Sequence, residues 1–253
     1  MHLASLLVDD QPALAVQTDS GFALLSPSPQ FPFGSLKALL QAGPQALQLV
    51  SDRAADAPVI DAQRCSFRPV ISEPSKVICV GRNYAEHARE QGAEVPGEPL
   101  IFAKAPSAIH AHRCPIWLPT LSQQIDYEAE LVVVIGKRAR RVSRQEAWDH
   151  VAGYCCGNDI TARDWQKQKP GQQWLLGKSF DTFAPIGPWL VTADSIPDPS
   201  ALSIQMWLNG QRVQDACTSQ MMFPIDFLIS YVSQVMTLEV GDLIFTGTPS
   251  GVG

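Results

Sequence analysis

The sequence has no Cys-x-x-Cys pair, no apolar stretch of membrane-spanning length, no internal repeat, no low-complexity segment and no long basic tract beyond the short KRARR at 137–141. Each absence removes a class. With a formal net charge of −6 and a single short basic cluster at 137–141, no nucleic-acid partner is expected, since such binding draws on an extended cationic surface and counterion release. No run approaches the roughly 20 apolar residues of a membrane helix, so no membrane partner is expected. The N-terminus MHLASLLVDDQPAL has no basic leader before an apolar core and does not read as a signal peptide. Six cysteines (Cys65, Cys79, Cys114, Cys155, Cys156 and Cys217) form no small-domain framework, and the adjacent Cys155 and Cys156 cannot easily bridge each other. They read as reduced, buried thiols in a cytoplasmic protein.

What remains is an ordinary globular composition: 253 residues, 45% hydrophobic and 17% charged, enough to bury a substantial core. Residues 2 to 26 alternate apolar runs with turn residues, which predicts a small β-meander. Two short helices follow, one capped by Ser35 and one opening at Pro44. Residues 54 to 75 are rich in Pro, Asp and Arg and read as a linker, giving a small N-terminal domain over 1–72 and a main domain over 73–253.

From Lys76 the pattern sharpens. KVICVG predicts a buried strand, Asn83-Tyr-Ala-Glu86 a helix start, and AELVVVI another buried strand. Ser143 to Glu146 spells a capping box for a helix running to about Gly153, and Thr161 is placed to cap a helix through TARDWQKQ. The longest helical pattern, Phe223 to Met236, puts Phe227, Leu228, Tyr231, Val232 and Val235 along one side, before the strand LIFTG.

Chemistry concentrates at a few positions. Glu128 and Glu130 in DYEAELVVVIG are i and i+2, so on a strand their carboxylates face one spot. Alone the pair reads first as a solvated edge. Entering a buried strand, unpaired carboxylates are costly, and a hard divalent cation is the usual remedy. Asp159 in GNDITARD is the candidate third ligand, or an ordinary loop aspartate before a helix. An all-carboxylate set suits Mg²⁺ or Mn²⁺ rather than structural zinc. His87 and Glu90 are i and i+3 on one short helix, where a carboxylate raises the basicity of an imidazole; the alternative is a surface ion pair. Lys178 in LLGKSFDTF is a lone lysine among apolar residues, either snorkelling or kept to stabilise an enolate or carboxylate.

In this order, KVICVGRNYAEHARE, DYEAELVVVIGK, GNDITARDWQ, LGKSFDTFAPIGPW and LIFTGTPSGVG resemble the fumarylacetoacetate hydrolase family over roughly residues 75 to 253, most closely its short acylpyruvase or fumarylpyruvate hydrolase-like members. The resemblance implies an α+β fold: a mixed β-roll with flanking helices, here preceded by a small N-terminal α+β domain, usually in a homodimer. It implies Glu128, Glu130 and Asp159 as ligands of Mg²⁺ or Mn²⁺, His87 and Glu90 as the dyad that activates water, and Lys178 as support for the enolate. Arg82, Tyr84, Arg163 and Thr248 match positions that contact substrate. Resembling chains usually continue through a further strand region past GTPSGVG.

The activity so implied is hydrolysis of a C–C bond in a small β-diketo acid of the acylpyruvate or fumarylpyruvate type, through a metal-bound enolate. The alternatives are an isomerase or decarboxylase of a related α-keto acid, such as a 2-hydroxymuconate-type diene or oxaloacetate, or a diketo sugar acid hydrolase. More remote is a non-catalytic, metal-stabilised binding module.

Overall fold

The computed structural model describes residues 1–25 and 31–253. The chain opens with β1 (His2–Val8), β2 (Gln11–Thr18) and β3 (Gly21–Leu25), a meander whose expected last position, residue 26, lies outside the described residues. Asp9 and Asp10 form the two-residue loop between β1 and β2 with φ of 48° and 61°. Both central residues are thus left-handed, the twist-matching turn that Asp tolerates. The Ser35 hydroxyl accepts the Ala38 N–H at 3.1 Å to start α1 (Leu36–Gln41), and Pro44 opens α2 (Pro44–Ala54).

The stretch expected as a linker is woven into the sheet instead. β4 (Val59–Ile60) pairs with β3, β5 (Cys65–Phe67) pairs with β1, and Val70 and Ile71 are buried in the core. Its Pro and Asp residues mark short irregular joints between strands, not a free tether.

The rest of the chain runs β6 (Val77–Gly81), α3 (Ala85–Glu90), β7 (Leu100–Lys104), β8 (Ile109–Ala111), β9 (Ile125–Asp126), β10 (Ala129–Ile135), α4 (Arg144–Ala147), β11 (Val151–Asn158), β12 (Thr161–Ala162), α5 (Arg163–Gln168), α6 (Trp174–Lys178), β13 (Ala184–Thr192), β14 (Ser203–Leu208), β15 (Gln211–Cys217), α7 (Ile225–Val235) and β16 (Leu243–Phe245). One mixed sheet dominates, in the order β4-β3-β2-β1-β13-β11-β10-β16-β6-β7, with β16–β6 and β13–β8 parallel. The β1–β13 pairing (His2 to Val191, Leu3 to Leu190) carries this sheet from the N-terminal strands into the remainder of the chain.

β10 lies at its centre and is buried at every residue. Val132 and Val134 enter the cluster covered by α1 and α2, whereas Leu131, Val133 and Ile135 enter the cluster under α7. A strand buried on both faces reads as a continuous apolar run, and each such side chain contributes roughly 1.5–3 kcal/mol. That rigid centre carries Glu130 and fixes the chain entering at Glu128.

Four local expectations fail for physical reasons. Asn83 does not cap α3: its side chain donates to the carbonyls of Phe223 (3.0 Å) and Thr246 (2.7 Å) and accepts the Phe223 N–H (2.8 Å), tying three segments together. Thr161 does not cap α5; it lies in β12, and its hydroxyl donates to the Asp159 carbonyl at 2.9 Å. The capping box of Ser143 and Glu146 forms, but α4 is one turn that tightens before β11 takes over at Val151. α7 buries Ile225, Leu228, Ile229 and Val232, leaving Val235 76% exposed, while Phe223, Phe227 and Tyr231 stack along its flank. All six cysteines are free, but only Cys79 and Cys155 are buried, and Cys156 is exposed.

Candidate active site

Three carboxylates converge where β10 and β11 begin and end. Glu128 directly precedes β10, Glu130 is its second residue, and Asp159 directly follows β11, whose Asn158 sits opposite Ala129. One oxygen from each lies within 4.8 Å of the others, and all three residues are buried. Short polar contacts hold the frame: the Glu128 N–H donates to Asn158 Oδ1, and the Asp159 N–H donates to the Glu128 carbonyl, both at 2.9 Å.

Two buried lysines enter this cluster. Lys178, at the end of α6, donates to Glu128 Oε2 (3.0 Å), Asp159 Oδ2 (2.7 Å) and Thr161 Oγ1 (2.8 Å). Lys104, at the end of β7, donates to Asp159 Oδ1 (2.5 Å) and to the Ile160 carbonyl (3.1 Å). Arg163 Nη1 lies 2.7 Å from Glu128 Oε1, and its Nη2 lies 2.5 Å from Asp126 Oδ2. Lys178 is therefore anchored to two of the carboxylates rather than snorkelling.

The charges divide unevenly. Burial pushes the Glu128 carboxyl up, but Lys178 and Arg163 outweigh it and hold the pKa down at about 2. Burial pushes Lys178 down, and Asp159 with Glu128 more than reverses this. Glu130 has no ion pair among the described residues, and its Oε2 accepts only the Gly247 N–H at 2.6 Å. Burial, then Asp159 and Glu128, push its pKa well up. An oxygen-only donor set with one uncompensated buried carboxylate fits a hard divalent cation, and each paired oxygen retains a second lone pair for it.

His87 and Glu90 sit on α3 across a crevice from this cluster. The imidazole is buried; Nδ1 lies 3.3 Å from Glu90 Oε2, and the Gln91 amide donates to Nε2 at 3.0 Å. An amide nitrogen cannot accept, so Nε2 carries the lone pair and Nδ1 the proton. Burial lowers the His87 pKa, against the opposing effect of Glu128 and the Glu90 hydrogen bond. The crevice, about 10 Å³, is lined by Arg82, His87, Glu128, Lys178 and Thr248 among others. That is close to the least space one water needs.

The four residues matched to substrate contacts fare differently. Arg163 reaches Glu128 directly. Arg82 lines the crevice with a left-handed backbone (φ 55°), its guanidinium 5.9 Å from the Trp174 ring centroid and its buried Nε without a hydrogen-bond partner among the described residues. Thr248 also lines the crevice, but its hydroxyl donates to the Ala129 carbonyl (2.9 Å) and accepts from Gln214 (2.8 Å), bracing β10. Tyr84 is buried with no partner for its hydroxyl among the described residues, and is not among the crevice-lining residues. Lys104, Thr161 and Gly247 were not anticipated. Lys104 ends the strand LIFAK, and a lysine closing an apolar run is the one signal that could have found it.

The family profile described as Fumarylacetoacetate (FAA) hydrolase C-terminal matches residues 76–253. The chain belongs to the fumarylacetoacetate hydrolase family. Among curated members of that family, "Oxaloacetate tautomerase FAHD2B, mitochondrial" from Bos taurus is 50% identical over 196 residues, covering 78% of this chain and 62% of the relative. This chain thus spans a little under two thirds of that relative's length. Fumarylacetoacetate hydrolase from Exiguobacterium antarcticum superposes with a TM-score of 0.86 at 35% identity, covering 100% of this chain and 88% of the other. Maleylpyruvate hydrolase from Sphingobium sp. SYK-6, in complex with manganese(II) and pyruvate, gives 0.84 at 31% identity, covering 100% and 90%. The mixed sheet with few helices matches these family structures. The bovine relative is named mitochondrial, which does not favour the cytoplasmic expectation; among the described residues no helix is long and apolar enough to cross a membrane.

Proposed function

We propose that this chain is a divalent-metal-dependent enzyme that interconverts the keto and enol forms of a small α-keto acid of the oxaloacetate type. This replaces C–C hydrolysis, the first expectation, as the leading reading. The 50% identity to an oxaloacetate tautomerase, against 31–35% for the two hydrolases above, supports the change. The observation that carries the chemistry is His87: a buried, neutral imidazole that lines the crevice with Glu128 and Lys178, its Nε2 lone pair held by the Gln91 amide.

Enolisation needs a base at carbon and a stabiliser at oxygen, and no water nucleophile. When substrate displaces the Gln91 amide from Nε2, that nitrogen accepts the proton from C3 of the keto acid while Glu90 keeps Nδ1–H oriented. The electron pair of the C–H bond becomes the C2–C3 double bond, the carbonyl π pair moves to the C2 oxygen, and that oxygen takes a proton from solvent while Nε2–H gives one up, completing the enol. Lys178, whose ammonium stays charged while its three N–H groups are held by Glu128, Asp159 and Thr161, favours the charge developing on that oxygen through space. In the reverse direction Nε2–H returns its proton to C3 and the enol proton leaves to solvent. Mg²⁺ or Mn²⁺ held by Glu128, Glu130 and Asp159 would supply Lewis-acid polarisation of the keto acid.

The test supplies enol oxaloacetate to the purified chain with Mg²⁺ or Mn²⁺ and follows loss of the enol's ultraviolet absorbance against metal alone, with acylpyruvates in parallel. Ketonisation accelerated at least about tenfold is expected. Ketonisation at the metal-only rate, alongside release of pyruvate from an acylpyruvate, would restore the hydrolytic reading, which the manganese- and pyruvate-bound maleylpyruvate hydrolase keeps as the second choice.

A further inference from the structure

Beside the crevice lies a second, larger cavity of about 510 Å³, lined by Glu90, Gln91, Gln124, Asp126, Arg163 and Lys167 among others. Gln91 lines both spaces, so a ligand held at the carboxylate cluster can extend past this one side chain into the outer cavity. Its size is in the range of small-molecule sites and far exceeds what an α-keto acid head group needs.

The charged groups lining it are not equivalent. Arg163 is ion-paired to Asp126 and Glu128. Asp126 also accepts the N–H groups of Tyr127 (2.8 Å) and Gly253 (2.7 Å). Glu90 faces His87 with one oxygen and accepts the Gly251 N–H at 2.9 Å with the other. Lys167, on α5 one turn beyond Arg163, is the exception: it makes no hydrogen bond or ion pair among the described residues. Arg82, on the crevice side, likewise leaves its buried Nε without a partner.

We propose that Lys167 is a specificity-determining residue that binds the distal carboxylate of a dianionic α-keto acid whose other end lies at the Glu128, Glu130 and Asp159 cluster. The orientation of the ligand rests on the proposed function; the recognition of a second carboxylate rests on the cavity and its unpaired ammonium. Burial and then the Arg163 guanidinium hold the Lys167 pKa below the usual lysine value, Arg82 adding to this and Asp126 and Glu128 opposing it. The Lys167 side chain is solvent-exposed at the cavity and makes no direct ion pair among the described residues, so an anion entering that corner can contact its ammonium without displacing a protein carboxylate.

Calorimetric titration of the Mn²⁺-loaded chain with ligand pairs differing only in the distal carboxylate provides the test: malate against 2-hydroxybutanoate, and 2-oxoglutarate against 2-oxopentanoate. The dianion of at least one pair should bind about tenfold tighter, with the preference shrinking as salt rises. Lys167→Gln should abolish that preference while leaving the monoanion's affinity unchanged, and Lys167→Arg should keep it. No preference in the unaltered chain, a preference that survives Lys167→Gln, or equal weakening of both ligands overturns the proposal. Because binding alone is read, absent oxaloacetate tautomerisation alongside a Lys167-dependent preference would remove the functional reading and leave this one standing.

Discussion

The Lys178 ammonium lies 2.7 Å from Asp159 Oδ2, with both side chains withdrawn from water. Removing one partner of a buried pair leaves the other charged and unsolvated, which costs about 3–5 kcal/mol. Lys178→Met should therefore lower unfolding stability by about that amount in metal-free protein, read by urea denaturation. Saturating Mn²⁺ should recover part of the loss, since a cation bound only by the folded state stabilises it. A variant as stable as the parent without metal would show that Lys104 alone neutralises Asp159.

Glu130 behaves oppositely, having only the Gly247 N–H as partner among the described residues. Glu130→Gln should leave the metal-free fold as stable as the parent or more so, because the substitution removes a carboxyl whose charged form burial and two neighbouring carboxylates disfavour. Mn²⁺ affinity should fall more than about 100-fold, beyond the roughly 10–100-fold that loss of a residue only supporting a ligand typically costs. Titration calorimetry and urea unfolding on the same preparation separate the two effects.

The pH dependence follows from His87. Its folded pKa is lowered, chiefly by burial. The neutral ring is thus the favoured folded form: its contribution to stability is present above the unfolded value of about 6.5 and is lost as pH falls through the lower folded value. Activity requiring the Nε2 lone pair should show an acid limb with its midpoint below about 6.5. The Glu90 hydrogen bond raises the His87 pKa, so Glu90→Gln should move that midpoint further down. A limb unmoved by Glu90→Gln, or surviving in the residual activity of His87→Ala, would assign the titration elsewhere.

Gly247 has φ of +101°, and an added Cβ would lie 2.7 Å from the Asn83 Cβ. Gly247→Ala should cost on the order of 1–3 kcal/mol through backbone strain and crowding. Because the same residue holds Glu130 Oε2, weaker Mn²⁺ binding should accompany the loss. Destabilisation with unchanged metal affinity would mean that Glu130 is positioned by β10 alone.

These residues show what a one-dimensional reading reaches. The pair at Glu128 and Glu130 is legible because strand periodicity is local, and Asp159 because a motif carries it; the structure gathers all three within 4.8 Å. The β10 core is legible because a strand buried on both faces must be apolar throughout. Lys104 is not, since only the pairing of β7 beside β6 brings it to Asp159, 55 residues away. Asn83 and Thr161 mislead for the same reason: each matches a local cap pattern, but long-range partners claim the side chain. The α7 stripe was rotated because its aromatic side chains stack on one another along the helix flank while Ile225, Leu228, Ile229 and Val232 face the core.

The central claim is that His87 moves a proton at C3 of a small α-keto acid. Oxaloacetate incubated in D₂O with the Mn²⁺-loaded chain tests it by nuclear magnetic resonance. The account predicts deuterium entering one of the two C3 positions faster than with Mn²⁺ alone, and loss of that selectivity in His87→Ala. Exchange equal at both positions and no faster than metal alone, or selective exchange undiminished by His87→Ala, would contradict it.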